Sequence, residues 1–242
     1  MGAVGAWRDR LLAWLYPEDA LCPLCRAERI DGTWLCQWCM DTFPWVCMPL
    51  CPVCGRPVEA AGPCLDCGRT ERIFDRGVGV AVYRGEAKAA IRALKYNGAR
   101  WHASWMGEMM GERLRLSGMR PEGVVPVPLH PHRRKTRGYN QAGLLAKHAA
   151  RYLGLPLWAD VLTRTVNTPT QTRLSREERL GNMHDAFGLR SPGGVAGREV
   201  LLVDDIMTTG ATLEACASYL KKAGAVRVDT AVFAISTRNL DI

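Results

Sequence analysis

Apolar and polar positions along this chain follow two regimes, and the change comes near residue 73. Before it, cysteines crowd the sequence; after it, cysteine almost vanishes and apolar runs alternate with helical patterns. Residues 77–83 predict a short strand, 86–96 a helix and 101–116 another. Residues 123–127 read as a buried strand, 140–153 as a helix and 161–166 as a further strand. The clearest strand is 199–203, followed by a helix over 211–223 and a returning strand over 226–235. Strand–helix–strand alternation of this kind implies an α/β fold, a parallel sheet flanked by helices with right-handed crossovers. Ligands on such sheets bind beyond the carboxyl ends of the strands. Trp101 and Trp105, four apart in a helix, are expected in the core.

The first residues behave differently again. Trp7, Leu11, Trp14 and Leu15 fall at helical spacing, so an amphipathic helix is expected within residues 1–20. Arg8, Asp9 and Arg10 interrupt any apolar core of a secretory signal, and no run approaches the roughly 20 apolar residues of a membrane span. A cytoplasmic protein without membrane insertion is expected. Three segments follow: 1–20, a cysteine-rich module over 21–72, and an α/β domain over 73–242.

Composition adds little to the fold and something to the chemistry. The chain has 242 residues, 48% hydrophobic and 23% charged, enough for a sizeable core. Its net charge of +8 suits polyanionic partners or simple solubility.

Nine of the ten cysteines lie between Cys22 and Cys67, and eight of them form four C-x-x-C pairs. These are Cys22/Cys25, Cys36/Cys39, Cys51/Cys54 and Cys64/Cys67. Each pair can bend around a metal, and two pairs complete a tetrahedral S4 set that satisfies one or two structural zinc ions. A disulfide framework suits a secreted chain, and a redox C-x-x-C would occur once. Iron–sulfur ligation uses the same sulfurs, but ribbon-like spacing favours zinc. Tandem pairing needs only local hairpins; a crossed arrangement is the alternative. Cys47 and Cys216 are expected to be spare buried thiols.

The segment from Val200 to Thr212 is the most informative. Apolar residues run into Asp204 and Asp205, and then Ile206, Met207, Thr208, Thr209, Gly210 and Ala211 lead to Thr212 and a helix. A helix N-terminus offers unpaired N–H groups and partial positive charge to a phosphate. Gly210 permits close backbone approach, and the three threonine hydroxyls can donate to phosphate oxygens. The two acids would repel a phosphate but can accept from the hydroxyls of an attached ribose. Alone, such a pair could equally be an N-cap or a metal ligand. Neither a Walker A loop nor a G-x-G-x-x-G turn is present.

This segment resembles the 5-phosphoribosyl-1-pyrophosphate (PRPP) signature of type I phosphoribosyltransferases. From about residue 15 to 236 the chain is similar to the ComF family of competence proteins, which join a double zinc ribbon to such a domain. The likeness extends over Ile91-Arg-Ala-Leu-Lys-Tyr-Asn-Gly98, Val125-Pro-Val-Pro-Leu-His130 with Arg133, and Arg137-Gly-Tyr-Asn-Gln141. It continues over 167–187, where Thr168, Gln171, Leu174, Arg179, Asn182, Ala186 and Phe187 fall at family positions. Tyr139 stands where the family more often has Phe.

The resemblance implies that the 5-phosphate sits in the 207–212 turn, with Asp204 and Asp205 on the ribose as the catalytic pair. Pro128, Leu129 and His130 would form the pyrophosphate loop, with Arg133, Arg137 and Lys95 neutralising its charge. Lys95 could instead be a solvated partner of its helix end. Mg²⁺ would accompany PRPP, and residues 167–173 would form a lid. The basic run His130, His132, Arg133, Arg134, Lys135 and Arg137 could serve pyrophosphate, single-stranded DNA or solvent. Two functions stay open: phosphoribosyl transfer to an unidentified acceptor, or a non-catalytic adaptor engaging single-stranded DNA or a DNA-uptake helicase. A glutamine-dependent amidophosphoribosyltransferase is not expected, because the chain starts Met1-Gly2-Ala3 without a cysteine nucleophile.

Overall fold

The computed structural model describes residues 21–30, 32–164, 186–191 and 194–237. The helix expected within 1–20, the lid expected over 167–173, and Thr168, Gln171, Leu174, Arg179 and Asn182 lie outside the described residues. The chain divides into two compact units, Met1–Phe43 and Pro44–Ile242. The second cysteine block therefore shares a unit with the sheet.

In the first unit, Arg26 N–H donates to the Cys22 carbonyl at 2.9 Å, closing the first knuckle. Helix α1, Gln37–Thr42, starts directly after Cys36 and carries Cys39 on its buried side. In the second unit, the short helix α2, Leu65–Arg69, likewise starts directly after a cysteine, Cys64, and carries the half-buried Cys67.

The sheet has four parallel strands. β1 (Arg76–Val82), β2 (Gly123–Pro126), β5 (Glu199–Met207) and β6 (Arg227–Ile235) stand in the order β1-β6-β5-β2. They are buried almost throughout, as a sheet covered on both faces requires. β3 (Leu162–Arg164) and β4 (Phe187–Leu189) form a separate antiparallel pair. The helices are α3 (Gly85–Tyr96), α4 (His102–Ser117), α5 (Pro131–Arg137), α6 (Gln141–Leu153) and α7 (Ala211–Lys222).

Side chains alternate across a strand, so Val232 and Phe233 face opposite ways. On one face α4 lies over β1 and β6, with Trp105 edge-on to Phe233 at 5.3 Å, while α6 lies over β2 and β5. On the other, Val200, Leu202, Val228 and Val232 join Leu213, Cys216, Ala217 and Leu220 of α7. Phe74 and three cysteines of the second block, Cys51, Cys54 and Cys64, belong to this same cluster. A metal-binding module thus supplies part of the hydrophobic core.

Both borders of the sheet are hydrogen-bonded to irregular chain. Beside β1, Val46 N–H donates to the Val80 carbonyl at 3.0 Å and Val82 N–H to Pro44 at 2.7 Å. Beside β2, Val124 N–H donates to Pro156 at 2.9 Å and Trp158 N–H to Val124 at 2.8 Å.

Three expectations need correction. Cys47 is exposed: it lies at the turn between blocks, outside both cysteine clusters. Trp101 is 59% exposed because it stands at the N-cap of α4, and only Trp105 enters the core. Strand β5 continues past Val203 to Met207 because β6 offers ladder partners as far as Ile235. Cys216 is buried as expected. No helix among the described residues is long and apolar enough to cross a membrane.

The packing of α4 on α6 hinges on Gly107. A Cβ there would lie 2.7 Å from the Leu145 carbonyl oxygen of α6, a backbone atom that cannot turn aside. Gly107→Ala gains up to about 1 kcal/mol of helix propensity but overpacks the interface by about 1–3 kcal/mol. A net loss on the order of 1 kcal/mol is expected in urea denaturation; a stabilised variant would contradict this packing.

Candidate functional site

The carboxyl ends of β2 and β5 lie side by side, with Pro126 opposite Val203 and Val127 N–H donating to Val203 at 2.8 Å. The chemistry-bearing residues gather at this end of the sheet. Asp204 and Asp205, at 8% and 2% exposure, lie in the carboxyl-terminal half of β5. The next residues leave the sheet: Thr208 is exposed, Thr209 and Thr212 half-buried, and Gly210 is the left-handed N-cap of α7 with φ 87°. Ala211 N–H approaches the Thr209 hydroxyl at 3.4 Å. The N–H groups of Thr209 and Gly210 donate to no other group among the described residues.

The acids are held by three elements. Lys95, in the last turn of α3, forms an ion pair with Asp205 Oδ2. Gln141 Nε2, at the start of α6, donates to Asp205 Oδ1 at 3.4 Å, while its Oε1 accepts from Arg137. Asp205 N–H donates to Asp204 Oδ1 at 2.8 Å. Burial, and then the neighbouring Asp205 carboxylate, hold Asp204 well above the usual carboxylate range, against the pull of Lys95. Burial works against the Lys95 ammonium, but Asp205 and, further off, Asp204 raise its pKa overall.

The Arg137-Gly-Tyr-Asn-Gln141 stretch is what brings these parts together. Gly138 ends α5 in the left-handed conformation, with φ 81°. The Tyr139 hydroxyl donates to the Leu94 carbonyl in α3, and the Arg100 guanidinium lies over the Tyr139 ring, 4.6 Å from its centroid. Asn140 Nδ2 donates to the Val127 carbonyl at 3.0 Å, fixing the start of the loop through Pro128, Leu129 and His130. His130 caps α5, its Nδ1 accepting from His132 N–H at 3.2 Å.

Between α3 and α5 lies a cavity of about 500 Å³ lined by Lys95, Tyr96, Gly98, His132, Arg133, Thr136, Arg137 and Tyr139. Four of these carry or can carry positive charge and none is acidic, so the space suits an anion. Arg164, at the end of β3, is a residue that pattern and spacing did not mark. Its guanidinium stacks 5.0 Å from the Phe187 ring, and burial, then the charge of Arg133, lowers its pKa. Asp204 lies within its electrostatic reach.

The eight paired cysteines form two tandem quartets, Cys22/Cys25/Cys36/Cys39 and Cys51/Cys54/Cys64/Cys67, with all sulfurs of each within 4.8 Å of one another. The nearest recorded approaches are 3.4 Å for Cys25–Cys36 and 3.7 Å for Cys54–Cys64. Tetrahedral zinc with sulfur at about 2.3 Å needs edges of about 3.8 Å, so both donor sets fit structural zinc. The Cys67 thiol is pulled down to about 5 by its hydrogen bond with Cys54 and then by Arg72, against burial. Four protein sulfurs leave no open position for chemistry at either ion.

Residues 140–239 match the phosphoribosyl transferase domain family, and residues 11–68 the double zinc ribbon domain family. Competence protein F of Haemophilus influenzae is 31% identical over 211 residues, spanning 84% of this chain and 91% of that protein. DNA utilization protein YhgH of Escherichia coli K12 is 34% identical over 215 residues, spanning 86% and 93%. Among solved structures, a purine phosphoribosyltransferase from Pyrococcus horikoshii shares 19% identity over 56% of this chain and 73% of its own, with a TM-score of 0.35.

Proposed function

The chain belongs to the ComF family of competence proteins, and from that we propose that it binds PRPP with Mg²⁺ and acts in DNA uptake or utilization. The observation that carries the ligand is the open turn after β5. Two adjacent peptide N–H groups, of Thr209 and Gly210, lack acceptors among the described residues, beside exposed Thr208. Such a turn at the head of a helix grips a phosphate through backbone donors and partial charge. Asp204 and Asp205 stand next to it to accept from the ribose hydroxyls, and the cation-lined cavity beyond Lys95 receives the pyrophosphate. The carboxylate oxygens of Asp204 and Asp205 are the kind of ligand a Mg²⁺ accompanying PRPP would take, and the ion would supply charge screening for the leaving pyrophosphate.

Transfer would break the bond from the anomeric carbon to pyrophosphate and form one to an acceptor nucleophile. The anomeric carbon gains positive charge on the way, which a buried carboxylate pair stabilises. Titration calorimetry of the full chain with PRPP and Mg²⁺ tests the reading. The wild type is expected to bind, and Asp204→Asn/Asp205→Asn to bind at least about tenfold more weakly, the effect of losing about 1.4 kcal/mol. No heat with the wild type would leave the adaptor reading, which the exposed Arg134 and Lys135 on α5 favour through phosphate contacts with single-stranded DNA.

A further inference from the structure

Arginines of the second cysteine block reach the phosphate turn from behind. Arg72, whose side chain is only 3% exposed, donates from Nε to Cys67 Sγ at 3.3 Å. Its Nη1 lies 3.2 Å from both the Thr209 carbonyl oxygen and Glu214 Oε1. Glu214, in the first turn of α7, also accepts from Ile73 N–H at 2.8 Å. Arg56 Nη2 donates to the Thr208 carbonyl at 2.7 Å, and both guanidiniums flank Asp66 at 3.7 and 3.9 Å.

Two successive carbonyls of the turn are thus held on the ribbon side. The C=O and N–H of a trans peptide point in opposite directions. Holding the carbonyls of Thr208 and Thr209 therefore turns the N–H groups of Thr209 and Gly210 away from the ribbon, and both of these donors lack acceptors among the described residues. Gly210 closes the arrangement: a Cβ there would lie 3.0 Å from Arg72 Nη1. A guanidinium is planar and rigid, so fixing one edge on a metal-bound sulfur fixes the other edge on the turn.

We infer that Arg72 is a positioning residue that ties the second metal quartet to the phosphate turn, so that the two sites stabilise each other. The identity of the ligand rests on the PRPP reading; the tie itself does not. By linkage, whatever orders the turn must also order the Cys64–Cys67 knuckle.

Amide hydrogen exchange on the zinc-loaded full chain tests this in two arms. Without ligand, Arg72→Met and Arg72→Lys should speed exchange at least tenfold at the amides that close the turn and the knuckle, Glu214 N–H on the Gly210 carbonyl and Gly68 N–H on the Cys64 carbonyl, with bound zinc unchanged and β5 residues 200–203 unaffected. Lysine keeps the charge but cannot span both edges. Unchanged exchange at the turn, or equal acceleration in β5, overturns the tie. Should both variants fail to fold, Arg56→Met, which loses one carbonyl contact, must still loosen the turn. With PRPP and Mg²⁺, the wild type should gain protection at 64–69 as well as at the turn, and Arg72→Met at the turn alone. Protection confined to the turn in the wild type overturns the coupling. Absence of protection anywhere in the wild type rejects PRPP as the ligand, and the unliganded arm still decides the tie.

Discussion

Replacing Cys54 with serine is expected to abolish the cooperative unfolding transition of residues 44–242, whereas Cys25→Ser leaves that transition in place. Cys51, Cys54 and Cys64 are 2%, 1% and 7% exposed and pack with Phe74 and Leu213 in the cluster beneath α7. Apparent binding of structural zinc is worth about 10–16 kcal/mol, comparable with the entire stability of a domain at about 5–15 kcal/mol. Losing the ion would also leave uncompensated thiols inside an apolar core. The other quartet sits in a separate compact unit with Cys25 exposed, so its loss should be local. Thermal denaturation read by tryptophan fluorescence, alongside zinc content, distinguishes the cases. A Cys54→Ser protein that loses its zinc yet melts like the wild type would refute the assignment of the second ribbon to the core.

Lys95→Met is expected to cost about 3–5 kcal/mol at neutral pH, the penalty for stranding a buried charge. The Lys95 and Asp205 side chains are 18% and 3% exposed, and Asp204 lies alongside. Without the ammonium, two carboxylates share a buried site, and Asp204, already raised by burial and its neighbour, loses the cation that pulls it down. A carboxylate raised in this way takes up a proton on folding, so its stability contribution is present at low pH and lost as pH increases. The variant's deficit should therefore be largest near neutrality and shrink as pH falls toward the ordinary carboxylate range. Adding Asp205→Asn should restore most of the loss, because Asp204 is then the one carboxyl left and burial already favours its neutral form. Urea denaturation of both single variants and the double one forms the cycle. A deficit below about 1 kcal/mol, or one that grows on acidification, would show that the pair is solvated.

The elements that were legible in the sequence are those whose burial writes a pattern. Parallel strands covered on both faces appear as unbroken apolar runs, and β1, β5 and β6 begin within one residue of where the runs begin. The tandem quartets follow from short hairpins between pairs. What escaped depends on partners distant along the chain. Asp204 and Asp205 looked like the end of β5, but β6 continues the ladder past them. Helix α5 has no apolar face, only Pro131 at its first turn and the His130 cap, so its basic run carries no helical period to read. Arg72 meets Thr209 across 137 residues and Arg56 meets Thr208 across 152, contacts no local pattern encodes.

Because Pro44 and Val46 occupy the outer side of β1, and Pro156 and Trp158 that of β2, neither margin offers a free row of peptide groups at these positions. An incoming polypeptide cannot extend the sheet there by contributing a strand of its own. A macromolecule meeting the sheet at these two margins has to be recognised through side chains and loops, which makes such contacts sensitive to surface substitution and to salt.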